Sequence, residues 1–469
     1  MRSITRNTAR PGTSIALALA LMCGTALGAA AFESPASAQK EKKSKPKYSK
    51  KFQKAYAAAV PLVNAEPVDE AALRAAIPTL QAASSTPDDM DATGNIMLSA
   101  GGKLDDQQLR LQGIQMMIDS GQNADRAGLL QYAKYQIQQG LEDMEGARAS
   151  LLAASAAGYS FEGQLSDGTS QTVGPEDIRV MVSQTYFDND QYAAGLADLK
   201  GYLESRMAQG QPVKEDWLRR GFSVAFNNEL GTQATEFSEL WLQNYPSANV
   251  WGDAITVQTR FFEYDSQEAL DILRLARRTG VLSADRLDAS RFDANRLDLI
   301  KMSMERLYLD YGEAADYRRF PGEVKEILEM GIAEGILDAN GVTVSDWLGG
   351  ARSRVNADKA DLPSLERDAR SSSSVTTVMA AGDAFLSYGQ AAKAEEFYTK
   401  ALTLPGVDAD RMMTRLGIAQ TDLGKYTEAQ ATFAKVGGKR ASIARLWSVH
   451  AGNMAGAQTS VAAAPANDG

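Results

Sequence analysis

From about residue 55 onward, apolar side chains recur at every third or fourth position, and strand-like alternation is scarce. Ala269, Ile272, Leu273 and Ala276 stand at i, i+3, i+4 and i+7, and Ala147, Leu151 and Ala154 at i, i+4 and i+7. Such spacings gather a stripe on one face of an α-helix. Abundant alanine favours helix and lets neighbouring helices approach closely. Pro175, Pro212, Pro246, Pro321, Pro363 and Pro405 are well separated, where connections between helix pairs are expected. The exception is 158–176, GYSFEGQLSDGTSQTVGPE, which lacks the helical period; Asp167-Gly168 can turn between two short extended pieces. The pattern predicts an all-α chain carrying one irregular insertion, a long loop or small hairpin.

The clearest internal repetition lies near the C-terminus. Gly382, Phe385, Gly389, Ala394, Tyr398 and Ala401 are matched, 35 residues on, by Gly417, Gln420, Gly424, Ala429, Phe433 and Val436. Gly382 and Gly417 let two helices touch, and Ala394 and Ala429 keep the inner face of the second helix thin. Tyr398 and Phe433 fill the space toward the next unit, and Gly389 and Gly424 suit a left-handed C-terminal cap. This stretch, 375–436, resembles the tetratricopeptide repeat, a helix-turn-helix unit of about 34 residues. Ala381-Gly382 and Leu416-Gly417 match its Leu-Gly position, Ala394, Ala429 and Ala401 its alanines, and Pro405 falls within one place of its terminal proline. Tyr426 fits its aromatic position and Ala391 departs from it. The resemblance implies a right-handed α-solenoid of TPR-like helix pairs.

Upstream the pattern decays. Tyr186, Tyr192, Gly195 and Leu199 suggest one unit; Ala234, Trp241 and Pro246 another; Ala269, Leu273 and Ala276 a third. The expected organisation is a degenerate solenoid over 55–359, and a repeat pair with a capping helix over 375–454, in which Ile443, Leu446 and Trp447 share one side. Between them, 360–374 is read as a hinge, or as a loop supplying an N-cap serine. Residues 455–469 are small, polar and Pro-containing and are expected to be disordered.

In the tetratricopeptide family, ligands lie along first-helix residues facing away from the second helices. Carried onto the Gly382 and Gly417 positions, that face comprises Thr376, Met379, Asp383, Leu386 and Ser387, then Arg411, Thr414, Ile418, Thr421 and Asp422. Its mixture of apolar and charged groups suits an extended peptide. Met379 and Asp383 stand where the family's carboxylate clamp has Lys and Asn, so capture of an acidic C-terminus by that route is not implied. The competing reading is that this face packs on the upstream solenoid or is solvated.

Charge and the N-terminus add an address. Arg2, Arg6 and Arg10 precede an apolar run from Ile15 to Ala31, and Ala36-Ser37-Ala38 has the small-x-small form of a signal-peptidase site. Residues 1–38 are therefore read as a secretory signal, the run being short and weakly apolar for a membrane anchor. Cys23, the single cysteine, lies inside it. Export without disulfides fits a bacterial periplasm. Residues 39–54, QKEKKSKPKYSKKFQK, form a lysine-rich tail with eight lysines and one glutamate. The rest is acidic: of 49 basic and 59 acidic residues in the chain, 38 and 57 fall after residue 54. A basic tail on an acidic body is either a solvated linker or a contact to an anionic surface.

Catalytic candidates are few. The one histidine, His450, lies by Trp447 at the expected edge of the fold, and the mature chain has no cysteine, so zinc, haem and thiol chemistry lack ligands. Ser44-x-x-Lys47 sits in the tail without partner motifs, Ala100-Gly101-Gly102-Lys103 lacks Walker spacing, and Asp338, Asn340 and Gly341 lack the rest of a calcium loop. Glu204-Ser205 resembles the Glu-Ser pair of exported transglycosylases, without the Gly-Leu-Met-Gln that should follow. The aromatics Trp241, Tyr245, Trp251, Phe261, Phe262 and Tyr264 are read as core, with few basic neighbours and hence no nucleic-acid partner. No cofactor is expected. The reading is a non-catalytic periplasmic scaffold for a protein or peptide partner. A structural or peptidoglycan-associated envelope protein is the first alternative, and a glycan-cleaving enzyme the second. Intact mass of the exported protein is expected to give Gln39 as the mature N-terminus; a full-length, membrane-embedded species would overturn the signal assignment.

Overall fold

Short polar residues start the helices, because the first-turn N–H groups have no partner within the helix. Ser49, Thr86, Asp106, Ser247, Asp265 and Ser374 each accept such a bond. The computed structural model describes residues 46–164, 170–290 and 292–463. These residues are helical apart from one hairpin and connecting turns, and they divide between two units, Met1–Gln191 and Tyr192–Gly469. The sequence suggests a hinge, or a loop, at 360–374, whereas the division falls between Gln191 and Tyr192.

The first unit comprises α1 (Lys50–Asn64), α2 (Glu70–Ala83), α3 (Pro87–Lys103), α4 (Gln107–Asp119), α5 (Ala127–Gly140), α6 (Met144–Ala156), β1 (Phe161–Gln164), β2 (Ser170–Val173) and α7 (Pro175–Phe187). The strands pair antiparallel, Phe161 opposite Val173, so the insertion forms a small hairpin. Phe161 and Tyr159 anchor it on Tyr132, with ring centroids 4.9 and 5.4 Å away. Asp167-Gly168 lies outside the described residues. The Ala100–Lys103 string is the last turn of α3 rather than a loop.

The lysine-rich tail is shorter than expected. Helix α1 starts within it, and Phe52 is fully buried with Tyr48 packed against the same core. Asp89, buried at the start of α3, accepts from the Ser49 backbone at 3.1 Å and from Ser85 and Thr86. Burial alone would raise its pKa, but these bonds hold it below the usual carboxylate range. The charge run hid two aromatics, Tyr48 just before the helix and Phe52 within it, that pack on one core. Residues 39–45 lie outside the described residues.

The second unit comprises α8 (Tyr192–Ala208), α9 (Glu215–Asn227), α10 (Gly231–Asn244), α11 (Ala248–Phe261), α12 (Ser266–Arg278), α13 (Ala294–Ala315) and α14 (Pro321–Ala333). It continues through α15 (Val342–Ser371), α16 (Val375–Ser387), α17 (Ala391–Ala401), α18 (Ala409–Asp422), α19 (Tyr426–Phe433) and α20 (Ala441–Ala463). The pairs α16/α17 and α18/α19 are TPR-like in their contact. A Cβ on Gly382 would stand 2.6 Å from the Tyr398 ring, and one on Gly417 2.4 Å from Phe433, so only glycine admits these rings. The same contact joins α9 and α10, where Gly221 meets Phe237 at the same sequence separation.

Three further expectations change here. Helix α15 runs through the proposed hinge with Pro363 inside it, and the break comes only at Ser372–Ser374, where Ser374 caps α16. Helix α20 continues to Ala463, past the expected start of disorder at 455. Nor does α20 merely cap the end: it packs on α10 and α12 as well as α18 and α19. Tyr264 meets Ser442 at 2.8 Å, Arg445 donates to Glu239 at 2.9 Å, and the Trp447 indole donates to the Asp271 carbonyl at 2.9 Å. A two-helix repeat has a second apolar face, and here the chain's own upstream helices cover it. Phe52→Ala is expected to cost about 3–5 kcal/mol, read as a large fall in melting temperature, whereas deletion of residues 39–45 leaves melting unchanged.

Candidate functional site

The ten stripe residues on α16 and α18 fall into two groups. Thr376 is exposed, and Met379 and Arg411 are half-buried. Asp383, Leu386, Ser387, Thr414, Ile418 and Thr421 are buried. Asp422 is paired with Arg278 of α12 through two bonds of 2.6 Å. Helix α12 thus borders this face, and Leu386, Ser387 and Asp422 line an opening of 760 Å³ with Arg277 and Arg278.

What holds α12 there is ionic. Every residue of α12 from Leu270 to Ala276 is buried, including Asp271 and Arg274. Asp271 accepts from Arg440 at 2.6 Å and Arg415 at 3.2 Å, with Arg274 at 3.4 Å. Asp383 accepts from Arg415, from Arg411 at 2.7 Å and from the Tyr398 hydroxyl at 2.9 Å. Arg274 forks onto Glu323 of α14 at 2.8 and 2.7 Å, and the Tyr311 hydroxyl donates to the same carboxylate at 2.9 Å. Gln267 accepts from Arg415 at 2.8 Å. Four guanidinium groups and three carboxylates thus join α12, α14, α16 and α18 to the turn before α20. Burial alone would raise the carboxyl pKa values, but Arg415 and Arg411 hold Asp383, and Arg274 holds Glu323, below the usual range. Asp383 and Arg411, proposed to meet a ligand, meet each other.

His450 is equally enclosed. It stands edge-on to Trp251 and Trp447, each 5.9 Å between centroids, instead of lying at the edge of the fold. Burial, with Arg278 nearby, pushes its pKa down to about 4, so the ring is neutral at physiological pH. Trp241 and Trp251 are core residues, and the Tyr245 hydroxyl donates to the Val213 carbonyl at 2.6 Å. Glu204 is exposed on α8 beside Lys200 at 3.8 Å, without the dry wall that tunes a catalytic carboxylic acid.

Among the openings of the second unit, two bear on this reading. The larger, 760 Å³, is lined by the ends of α12, α14, α16 and α18 and the start of α17. Its charges are already matched: Arg277 with Glu326, Arg278 with Asp422, Glu323 with Arg274 and Lys393 with Glu366. The smaller, 280 Å³, is lined by Arg219, Phe222, Ser223 and Phe226 of α9, Trp241 of α10, Asp253 and Thr256 of α11, and Arg296 of α13. Phe222 stands 5.7 Å from Phe226 and 5.6 Å from Trp241. Asp253 makes no hydrogen bond or ion pair among the described residues, and burial holds its carboxyl above the usual range although Arg296 and Arg286 oppose this.

The unit marked in the sequence by Ala234, Trp241 and Pro246 does not by itself point to this pocket. The signal was present one helix earlier. Phe222 and Phe226 follow Gly221 at the same steps by which Asp383 and Ser387 follow Gly382. They hold the ligand-facing positions of α9, and Arg219, Ser223 and Phe226 continue the stripe at i, i+4 and i+7.

No protein-family model matches the chain, and no curated protein matches it. Among solved structures it is similar to one described as the structure of Naa15/Naa10 bound to HypK-THB. The likeness has 12% identity over 87% of this chain and 68% of that chain, with a TM-score of 0.26.

Asp271→Ala would leave buried guanidinium groups without their carboxylate and is expected to lower unfolding free energy by about 3–5 kcal/mol. Because Asp383 and Glu323 have depressed pKa values in the folded state, their stabilisation is present above about pH 4–5 and lost as pH falls through those lowered values. Urea titration of wild type and variant at pH 7 tests the first statement, and the unfolding free energy of the wild type at pH 7 and pH 3 tests the second: it should fall in acid.

Proposed function

We propose that this protein is a non-catalytic, exported scaffold that holds a protein or peptide partner in the cell envelope, on the first-helix face of α9 and α11. The observation that carries this reading is the contrast between two equivalent faces. On α16 and α18 the charged ligand-facing positions, Asp383, Arg411 and Asp422, are paired within the chain. On α9 the same positions carry Phe222 and Phe226 beside a pocket whose Asp253 is without a partner among the described residues. An aromatic wall with a few convergent polar groups is the usual composition of a recognition site.

The address rests on the N-terminus: a basic start, an apolar run and a small-x-small site. A periplasmic location follows from that reading together with the absence of cysteine after residue 38. The lysines before α1 then lead the folded body and suit weak, salt-sensitive contact with an anionic surface. A scaffolding role agrees with the chemistry of the chain. Its one histidine is held neutral between two tryptophans, and its buried carboxylates are committed to arginine pairs (Asp271, Asp383, Glu323) or to helix-cap bonds (Asp89).

A photocrosslinking residue at position 226, in intact cells, is expected to capture a discrete protein, with much lower yield from position 376. Capture that disappears on adding Arg296→Ala places the partner on this face. Recovery of cell-wall glycan from position 226 would instead support the envelope-structural alternative, and equal capture from both positions would overturn the assignment of the face.

A further inference from the structure

Leu299 and Met302 stand one turn apart on the outer face of α13 and are 60% and 65% exposed. No other exposed large apolar side chain among the described residues has a second one a turn away on its own helix. Single apolar residues are ordinary on a surface, whereas an adjacent pair left in water marks a contact. Eleven residues further on, the same helix walls a recess of 420 Å³. Phe262 and Tyr264, half-buried with ring centroids 6.0 Å apart, form part of its apolar side. Its rim is acidic: Glu263, Asp310 and Glu313 stand with Arg306. Asp310 meets Arg306 at 3.6 Å, whereas Glu313 makes no ion pair among the described residues. Arg296, at the other end of the helix, is exposed and likewise without an ion pair among them.

The order of these groups along α13 selects what covers them. Arg296, Leu299, Ser303, Arg306, Asp310 and Glu313 follow at steps of three, four, three, four and three, so they form one stripe whose spacing is the same read from either end. The first half is basic and apolar and stands out into solvent. The second half is acidic at its rim and hollow beside it. A second copy laid antiparallel, with a two-fold axis passing between Met304 and Glu305, brings Arg296 of each copy to Glu313 of the other. The same operation lays the Leu299 and Met302 pair of each copy over the recess of the other. A two-fold contact uses one surface twice and therefore requires it to be self-complementary. A foreign segment would need this arrangement of charge, apolar bulk and hollow at the same spacing, and the chain itself already has it.

We propose that α13 is a self-association surface on which a second copy of this chain docks antiparallel, its Leu299 and Met302 entering the recess beside Asp310 and Glu313. The 22-residue helix is about 33 Å long and about 10 Å across. Such a contact is smaller than the roughly 800 Å² per partner of a standard complex. The association is accordingly weak, with a dissociation constant in about the micromolar to millimolar range.

Sedimentation equilibrium of the chain from Gln39 onward, over that concentration range, is the test. Wild type is expected to pass reversibly from monomer to dimer as concentration rises. Met302→Lys should weaken the dimer about ten-fold or more, because it brings a charge into an apolar contact. Arg296→Glu and Glu313→Arg should each weaken it by about as much, by setting like charges together at both ends of the pairing. Mixed in equal amounts, those two variants should associate about as tightly as wild type, since each then meets opposite charge at both ends. Melting curves check that each variant folds, all three positions being exposed. A wild type that stays monomeric throughout, a dimer indifferent to Met302→Lys, or charge variants that do not recover on mixing would overturn the proposal. The inference is independent of the partner site on α9, although Arg296 edges both. Met302→Lys separates them: it should abolish self-association and leave capture from position 226 unchanged. Capture that falls with Met302→Lys would place a foreign partner, not a second copy, on α13.

Discussion

Asp271 is the point on which the second unit turns. It lies in a helix buried on every side over two turns, and it gathers arginines from α12, α18 and the turn before α20. A charge in that place is tolerable only when fully paired, because its desolvation is large and is offset only by well-placed opposite charges. The constraint acts in both directions. Arg415 and Arg440 can be buried only if α12 brings Asp271 to them, and α12 can be buried only if they come. Close association of the C-terminal repeats with the upstream helices follows from this mutual requirement, with Trp447 filling the apolar remainder.

That association decides which surface is left for a partner. A first-helix groove is a ready receptor for any helix of suitable pattern, and the nearest such helix belongs to the same chain. Where α12 meets the face of α16 and α18, Asp383, Arg411 and Asp422 are consumed in the pairs that hold it. The equivalent positions on α9 are aromatic rather than ionic, and α13 brings only Arg296 to their rim. A recess therefore remains there with polar groups still to be satisfied. The proposed scaffold function grows from that recess.

Local chemistry was legible throughout. The helical period of Ala269, Ile272, Leu273 and Ala276 marks α12, although period alone could not show that its other face is buried too. Gly382 and Gly417 announce their ring contacts because only a missing Cβ admits Tyr398 and Phe433 so closely. Gly221 and Phe237 carry the same signal, hidden because the intervening turn lacks glycine and places the non-glycine Glu229 at positive φ. Pro363 misled, since proline usually ends a helix, yet here it is accommodated within α15. The lysines of 39–54 masked the folded start of α1, because Tyr48 and Phe52 are only two residues in a strongly charged run.

The sequence by itself determined the helical class, the caps, the place of the irregular insertion, the TPR-like contact of the last two pairs and the scarcity of catalytic groups, all set by residues within one or two turns of each other. Tertiary structure alone decided whether a first-helix stripe would face solvent or another helix. That choice depends on charge pairs such as Arg415 with Asp271 and Arg445 with Glu239, whose members lie far apart in the chain. No local period records them, since a buried arginine and an exposed one look alike until the carboxylate that meets it has been placed.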